Sequence, residues 1–168
     1  MTKSLDLGCG DKPKNLFNAT EVFGVDIRDI DNARIKKADL ATEAIPFESD
    51  YFDFVTAHDF IEHIPRLIYA PHRRNSFVEL MNEVYRVLKP EGIFASITPA
   101  YPHAPAFRDP THVNIITEET FQLYFDDKHI WAQMYGFRGA FTILQQTWSG
   151  ASLVTLMKKT LQKVSETN

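Results

Sequence analysis

Apolar and polar positions along this chain follow two periods. Residues 5–8, 22–26, 35–38, 52–57 and 92–97 are short apolar runs closed by turn or polar residues, the pattern of buried strands. Between the last two runs, Phe77, Leu80, Met81, Val84, Tyr85, Val87 and Leu88 recur at three- and four-residue spacing, which predicts an amphipathic helix. Ser76 and Glu79 have capping-box spacing at its start, and Lys89-Pro90-Glu91-Gly92 supplies a stop signal and a turn at its end. A shorter helix is predicted over 121–125. Residues 141–148 and 152–157, separated by Ser149-Gly150, predict a terminal antiparallel hairpin. The expected fold is therefore α/β, with a mostly parallel seven-stranded sheet that ends in the hairpin. Residues 1–158 form a single domain on this reading, and 159–168 a frayed tail.

Open sheets of this kind bind ligands beyond the carboxyl ends of their strands. That rule selects Gly8–Asp11, Asp26, Asp39, His58, Asp59 and the segment 98–114. The stretch 99–114 holds four prolines among aromatic and histidine clusters, so it reads as a stiffened functional loop. Gly8-Cys9-Gly10 follows a strand directly and lets backbone approach a ligand closely. The third glycine of a dinucleotide fingerprint is replaced by Pro13, and no Gly-Lys-Ser/Thr of a phosphate loop is present, which demotes pyrophosphate cofactors. Asp26, closing the second strand, is placed to accept from both hydroxyls of a ribose. A ribose without a pyrophosphate fits an adenosyl cofactor.

Composition narrows the classes further. The 168 residues suffice for one domain with a real core, and the net charge of −4 offers no broad basic field for a polyanion, so nucleic acid is disfavoured as a partner. Cys9 is the lone cysteine, which excludes an internal disulfide and a thiolate-rich zinc site. With no apolar run long enough to span a bilayer and no leader pattern after Met1, the expectation is a cytoplasmic protein without a membrane anchor.

Leu5-Asp6-Leu7-Gly8-Cys9-Gly10, Gly24-Val25-Asp26-Ile27, Ala38-Asp39-Leu40, Ile45-Pro46-Phe47, Tyr51–Val55, Ile61-Glu62-His63-Ile64 and the segment 83–92 appear in an order that resembles the class I S-adenosylmethionine-dependent methyltransferases. Asp109-Pro110-Thr111-His112 followed by Thr120-Phe121 is similar to a subgroup of short bacterial and viral methyltransferase-like chains. The resemblance implies a Rossmann-like fold and S-adenosylmethionine as cofactor. It places Gly8, Cys9 and Gly10 beside the methionine part, with Asp6 orienting it and Leu7 leading into it. Asp26 and Ile27 lie at the ribose, Asp39 and Leu40 frame the adenine, and Ala57 with His58 closes the methionine side. Two departures stand out: only about a dozen residues, interrupted by Pro13, separate Gly10 from Val22, so the first helix is shortened or missing, and no helices precede the first strand.

Methyl transfer from a sulfonium needs positioning and desolvation more than acid catalysis. A hydroxyl or protonated amine acceptor does need a base, for which His63 and His112 are the candidates, with His58 and His103 behind them. Arg108 would hold an anionic group of the acceptor. On a helix starting near His58, Asp59, Glu62 and His63 share a face and with His112 could hold a divalent ion. Glu-His pairs at this point are common in class I enzymes that need no metal, so the expectation is a metal-free site. The expected partner is a small-molecule or sugar-like acceptor. Rival readings are a cofactor-binding scaffold without turnover and an RNA methyltransferase.

Overall fold

The computed structural model describes residues 1–161. Seven strands form one sheet in the order β3-β2-β1-β4-β5-β7-β6. β1 (Lys3–Leu7), β2 (Glu21–Asp26), β3 (Ile35–Lys37), β4 (Phe52–His58) and β5 (Leu88–Pro99) run parallel. β6 (Phe141–Ser149) and β7 (Ser152–Lys159) close the sheet as an antiparallel hairpin against β5. β1 lies between β2 and β4, so the strand order reverses there, and that is where such sheets open a crevice at their carboxyl ends.

α1 (Ser76–Val87) carries the predicted apolar stripe into the core, where Leu80, Met81, Val84 and Val87 are at most 3% exposed. Its capping box does not form. Ser76 is already helical, and its hydroxyl donates to the Ala41 carbonyl, while Glu79 is taken by Arg74. The box appears instead on α3 (Glu118–Tyr124), where Thr117 and Thr120 cap reciprocally. α2 (Pro105–Arg108) is a single turn within the proline-rich loop.

Among the described residues, no helix joins β1 to β2; Phe17 instead stacks on Phe54 of β4, with ring centroids 4.4 Å apart. β5 begins earlier than its apolar run suggested. Leu88 pairs with Phe52 as soon as α1 ends, and the Pro90-Glu91-Gly92 turn is absorbed as an irregularity with Glu91 at φ 64°. β7 runs to Lys159, a correction to the expected tail. That lysine is 6% exposed and its Nζ donates to Asp50 Oδ1 at 2.7 Å and to the Leu88 carbonyl at 2.6 Å. The rest of the predicted tail, 162–168, lies outside the described residues.

Candidate functional site: a nucleoside cradle and an adjoining polar cluster

The carboxyl ends of β1, β2 and β4 meet in a loop built from backbone. Gly8 and Gly10 both have φ 64°, a left-handed conformation in which a side chain is strained. The Gly8 and Cys9 amides donate to the Val25 carbonyl at 2.9 and 3.1 Å, which pins the loop to β2. A Cβ at Gly8 would lie 2.3 Å from the Phe60 ring. Cys9 turns its sulfur inward, where a Cβ on Gly24 would meet it at 2.4 Å, so it offers a ligand only backbone. Burial, reinforced by Asp6 and Asp26, pushes its thiol up to about 12. Leu7 is core.

Asp6 is 2% exposed and organises the loop from below. Its Oδ2 accepts from the Lys14 amide at 2.8 Å and its Oδ1 from the Thr56 hydroxyl at 2.7 Å. Burial raises its carboxyl above the usual range, and those two donors oppose the shift. Both of its oxygens are thus taken by the protein, so Asp6 acts on the shape of the loop.

Asp26 is 7% exposed and already fully engaged. Oδ2 accepts from the Gly10 amide at 2.8 Å and from Arg28 Nη2 at 3.4 Å, while Oδ1 accepts from the Arg28 amide at 3.0 Å and Nε at 2.8 Å. The Arg28 guanidinium holds this carboxyl below its ordinary range. Arg28 was not anticipated, although an arginine two residues beyond a strand-closing aspartate is a legible signal. Its side chain is 64% exposed, so two vicinal hydroxyls can replace its Nε and Nη2 without disturbing the Gly10 contact.

Around this carboxylate Ile27 presents an apolar side chain that is 61% exposed. The Ala38 amide donates to the Asp26 carbonyl at 3.0 Å and brings Asp39 to the rim. The Leu40 side chain is in the core, which restricts it to a backbone role; Ala57 is fully buried in β4. His58 ends β4, with a buried Nδ1 lacking a partner and Nε2 3.4 Å from Asp59 Oδ2. Strained glycines, a recessed carboxylate and an exposed apolar neighbour fit an adenosyl group once Arg28 has swung aside.

The second half of the site lies beyond β4. No helix starts at His58. Asp59 is left-handed at φ 50°, and only a 3-10 turn, Ile61–His63, follows, so Asp59 does not share a face with Glu62 and His63. The loop after β5 supplies the other wall. Val113 and Asn114 amides both donate to the Glu62 carbonyl, at 2.9 and 3.0 Å, and Asn114 Nδ2 donates to the Ile61 carbonyl at 3.1 Å. This backbone clamp brings Glu62, His63 and His112 together, with the His63 and His112 rings 4.8 Å apart edge to face.

Thr111 orients His63. Its hydroxyl donates to Asp109 Oδ1 at 2.6 Å and stands 3.0 Å from His63 Nδ1. The Thr111 hydroxyl and amide hold the Asp109 carboxyl below its usual range, so it only accepts. Thr111 thus spends its single proton on Asp109 and must accept from His63 Nδ1–H. A neutral His63 then presents its Nε2 lone pair. Asp-Pro-Thr is an Asx-turn pattern, and the amide of Thr111 donates to Asp109 Oδ1 at 2.8 Å as that pattern requires. Arg108 is exposed at the end of α2, and its guanidinium makes no hydrogen bond or ion pair among the described residues. His103 packs edge-on against Trp148, with centroids 4.8 Å apart. Hollows of about 580 and 630 Å³ lie elsewhere, beside Arg86 and beside Trp131.

Fold and loop together define a Rossmann-like α/β protein with a backbone-lined crevice at the sheet's switch point. A family model described as a methyltransferase domain matches residues 5–96, over half of the chain. The chain belongs to this family, the class I S-adenosylmethionine-dependent methyltransferases, and its cofactor is S-adenosylmethionine. A demethylmenaquinone methyltransferase of Listeria welshimeri is 25% identical over 125 residues, which cover 64% of this chain and 49% of that protein. The chain thus spans about half the length of the curated relatives it matches. Among solved structures, the PH0226 protein of Pyrococcus horikoshii has a TM-score of 0.64 at 21% identity, covering 94% of this chain and 81% of that one. A SAM-dependent methyltransferase of Archaeoglobus fulgidus has a TM-score of 0.61 at 18% identity, covering 94% and 86%. These two likenesses are of fold. Among the described residues no helix is long and apolar enough to cross a membrane.

Proposed function

We propose that this chain transfers a methyl group from S-adenosylmethionine to a hydroxyl of a small-molecule or sugar-like acceptor seated against residues 98–114. The carrying observation is the Glu62, His63 and His112 cluster, which is tied to the glycine loop through Phe60, whose ring covers Gly8 and whose carbonyl accepts from the His63 amide. The cofactor supplies a methyl on a sulfonium whose leaving thioether is neutral, so the protein has no leaving group to protonate. Gly8, Gly10 and Asp26 hold the nucleoside and the amino-acid part in place. His63, turned by Thr111 and Asp109, offers a lone pair toward the acceptor side, and Arg108 has a guanidinium free for an anionic substituent. The net charge of −4 supports a small acceptor over a polyanion. The name of the Listeria relatives specifies a small-molecule acceptor too, which supports the class without extending that compound to this chain.

The test is release of S-adenosylhomocysteine by the full chain against a panel of small hydroxyl and amine acceptors, with RNA as a separate arm. Product with a hydroxyl acceptor is expected. Product with RNA alone overturns the acceptor class. No product with any acceptor, while cofactor binding persists, leaves a cofactor-binding scaffold instead.

A further inference from the structure

The polar cluster has more unmet bonding capacity than a base for an acceptor hydroxyl requires. Glu62 is 1% exposed; its Oε2 accepts from Thr98 Oγ1 at 2.8 Å, but its Oε1 is buried with no hydrogen-bond partner. His112 Nδ1 is likewise buried and unpartnered. Unpaired buried polar atoms are costly, and two of them in one cluster of donors call for a shared ligand. His63 adds a third lone pair, because Thr111 takes its Nδ1–H. One donor atom from each of Glu62, His63 and His112 lies within 4.8 Å of the others; His112 Nε2 faces Asp109 Oδ2 at 3.8 Å, which leaves its buried Nδ1 as the unpartnered donor.

We propose that Glu62, His63 and His112 form a binding site for one divalent first-row transition metal. Two imidazoles and one carboxylate suit ions such as Zn²⁺, Co²⁺ or Mn²⁺, whereas Mg²⁺ and Ca²⁺ prefer all-oxygen sets. This proposal departs from the expectation of a metal-free site, and its ground is tertiary. The helix that would have recruited Asp59 is absent, so of the four residues expected to share an ion only three meet, His112 being delivered by the backbone clamp from Glu62 to Val113 and Asn114. The donors are also braced from behind: Thr98 holds the Glu62 carboxylate, and the Asp109–Thr111 pair fixes the His63 ring, as outer-shell partners of metal ligands do. Three protein donors leave open positions for an outside oxygen. The use of that opening rests on the acceptor reading above. With its lone pair committed to the ion, His63 then acts as a ligand and no longer as the base: an acceptor hydroxyl reaching the ion is acidified and loses its proton to solvent, its oxygen forms the new C–O bond as the C–S bond breaks, and the thioether leaves uncharged.

Metal binding is measured on the full chain after chelator treatment, without cofactor or acceptor, so that its outcome is separate from turnover. Co²⁺ alone is titrated and followed by its visible ligand-field absorption, with Zn²⁺ competition by calorimetry. One ion per chain is expected, with binding weakened at least ~10-fold in Glu62→Gln and in His112→Ala and retained in Asp59→Asn. Circular dichroism and thermal unfolding establish that each variant is folded. If one variant fails that check, the other carries the test. No stoichiometric binding by the wild type, or folded Glu62→Gln and His112→Ala chains that bind like it, overturns the proposal. Stoichiometric binding in a chain that methylates no acceptor keeps the metal site and removes only the acceptor reading.

Discussion

Replacing Asp26 by Ala tests the cradle most directly, because the structure lets its cost be separated into parts. The carboxylate meets four donor contacts, one from the Gly10 amide and three from Arg28. Two ribose hydroxyls would replace the side-chain contacts of Arg28 while leaving the Gly10 amide in place. Hydrogen bonds to a charged group contribute about 1.5–3 kcal/mol. Loss of one such bond weakens binding by about 10- to 150-fold, so loss of the carboxylate should weaken S-adenosylhomocysteine binding by at least that much. Arg28 is largely exposed, and ion pairs of such groups contribute little, so displacing it subtracts only slightly from that figure. Arg28→Ala should bind at least as tightly as wild type, since it removes a competitor for the same oxygens. Isothermal calorimetry on both variants and the double variant closes a cycle, with urea unfolding to show that Asp26→Ala, which orphans the Gly10 amide, is still folded. Unchanged affinity in folded Asp26→Ala would refute the assignment of the ribose. A large loss of affinity in Arg28→Ala would refute the view that arginine only occupies the ribose position.

Gly10→Val should abolish cofactor binding and lower the melting temperature only modestly, since the left-handed backbone strains a branched residue while its Cβ meets just the mobile Arg28 Nη2 at 3.3 Å; normal binding in calorimetry would move the cofactor elsewhere. Gly24→Ala should cost about 1–3 kcal/mol in urea unfolding, because its Cβ would lie 2.4 Å from Cys9 Sγ and 2.9 Å from Pro13; a neutral result would mean the glycine loop yields freely. His112→Ala and Arg108→Ala should keep cofactor affinity and reduce turnover of an identified acceptor, His112→Ala by at least ~10-fold, and either one losing cofactor affinity as Asp26→Ala does would put residues 98–114 in the wrong half of the site. Asp6 gives a pH signature. Its folded carboxyl is raised by burial, so the stability it contributes is complete below its unfolded value near about 4 and is lost as pH rises through the folded value. Urea midpoints of Asp6→Asn should accordingly gain on wild type as pH rises through that window, and a constant gap would contradict the sign.

What could be read from the chain alone was what local periodicity and strand-end chemistry control. Strands β1 to β4, the stripe of α1 and the terminal hairpin follow from side-chain alternation that each segment carries within itself. The left-handed turn at Gly8 and Gly10 and the strand-closing position of Asp26 were legible because a glycine turn and an acidic strand end are constrained by a few neighbouring residues. Tertiary structure decided whatever depends on partners far apart in sequence. Ser76 and Glu79 had the spacing of a cap, but Ala41 and Arg74 claimed their side chains. Lys159 reads as tail until Asp50 and Leu88 bury its ammonium. Asp59, Glu62 and His63 look like one helical face, yet the left-handed Asp59 ends that option, and a clamp across some fifty residues brings in His112. A helical period costs nothing to propose locally, whereas a bond between the Glu62 carbonyl and the Asn114 amide exists only after β4 and β5 have paired and set their two loops side by side.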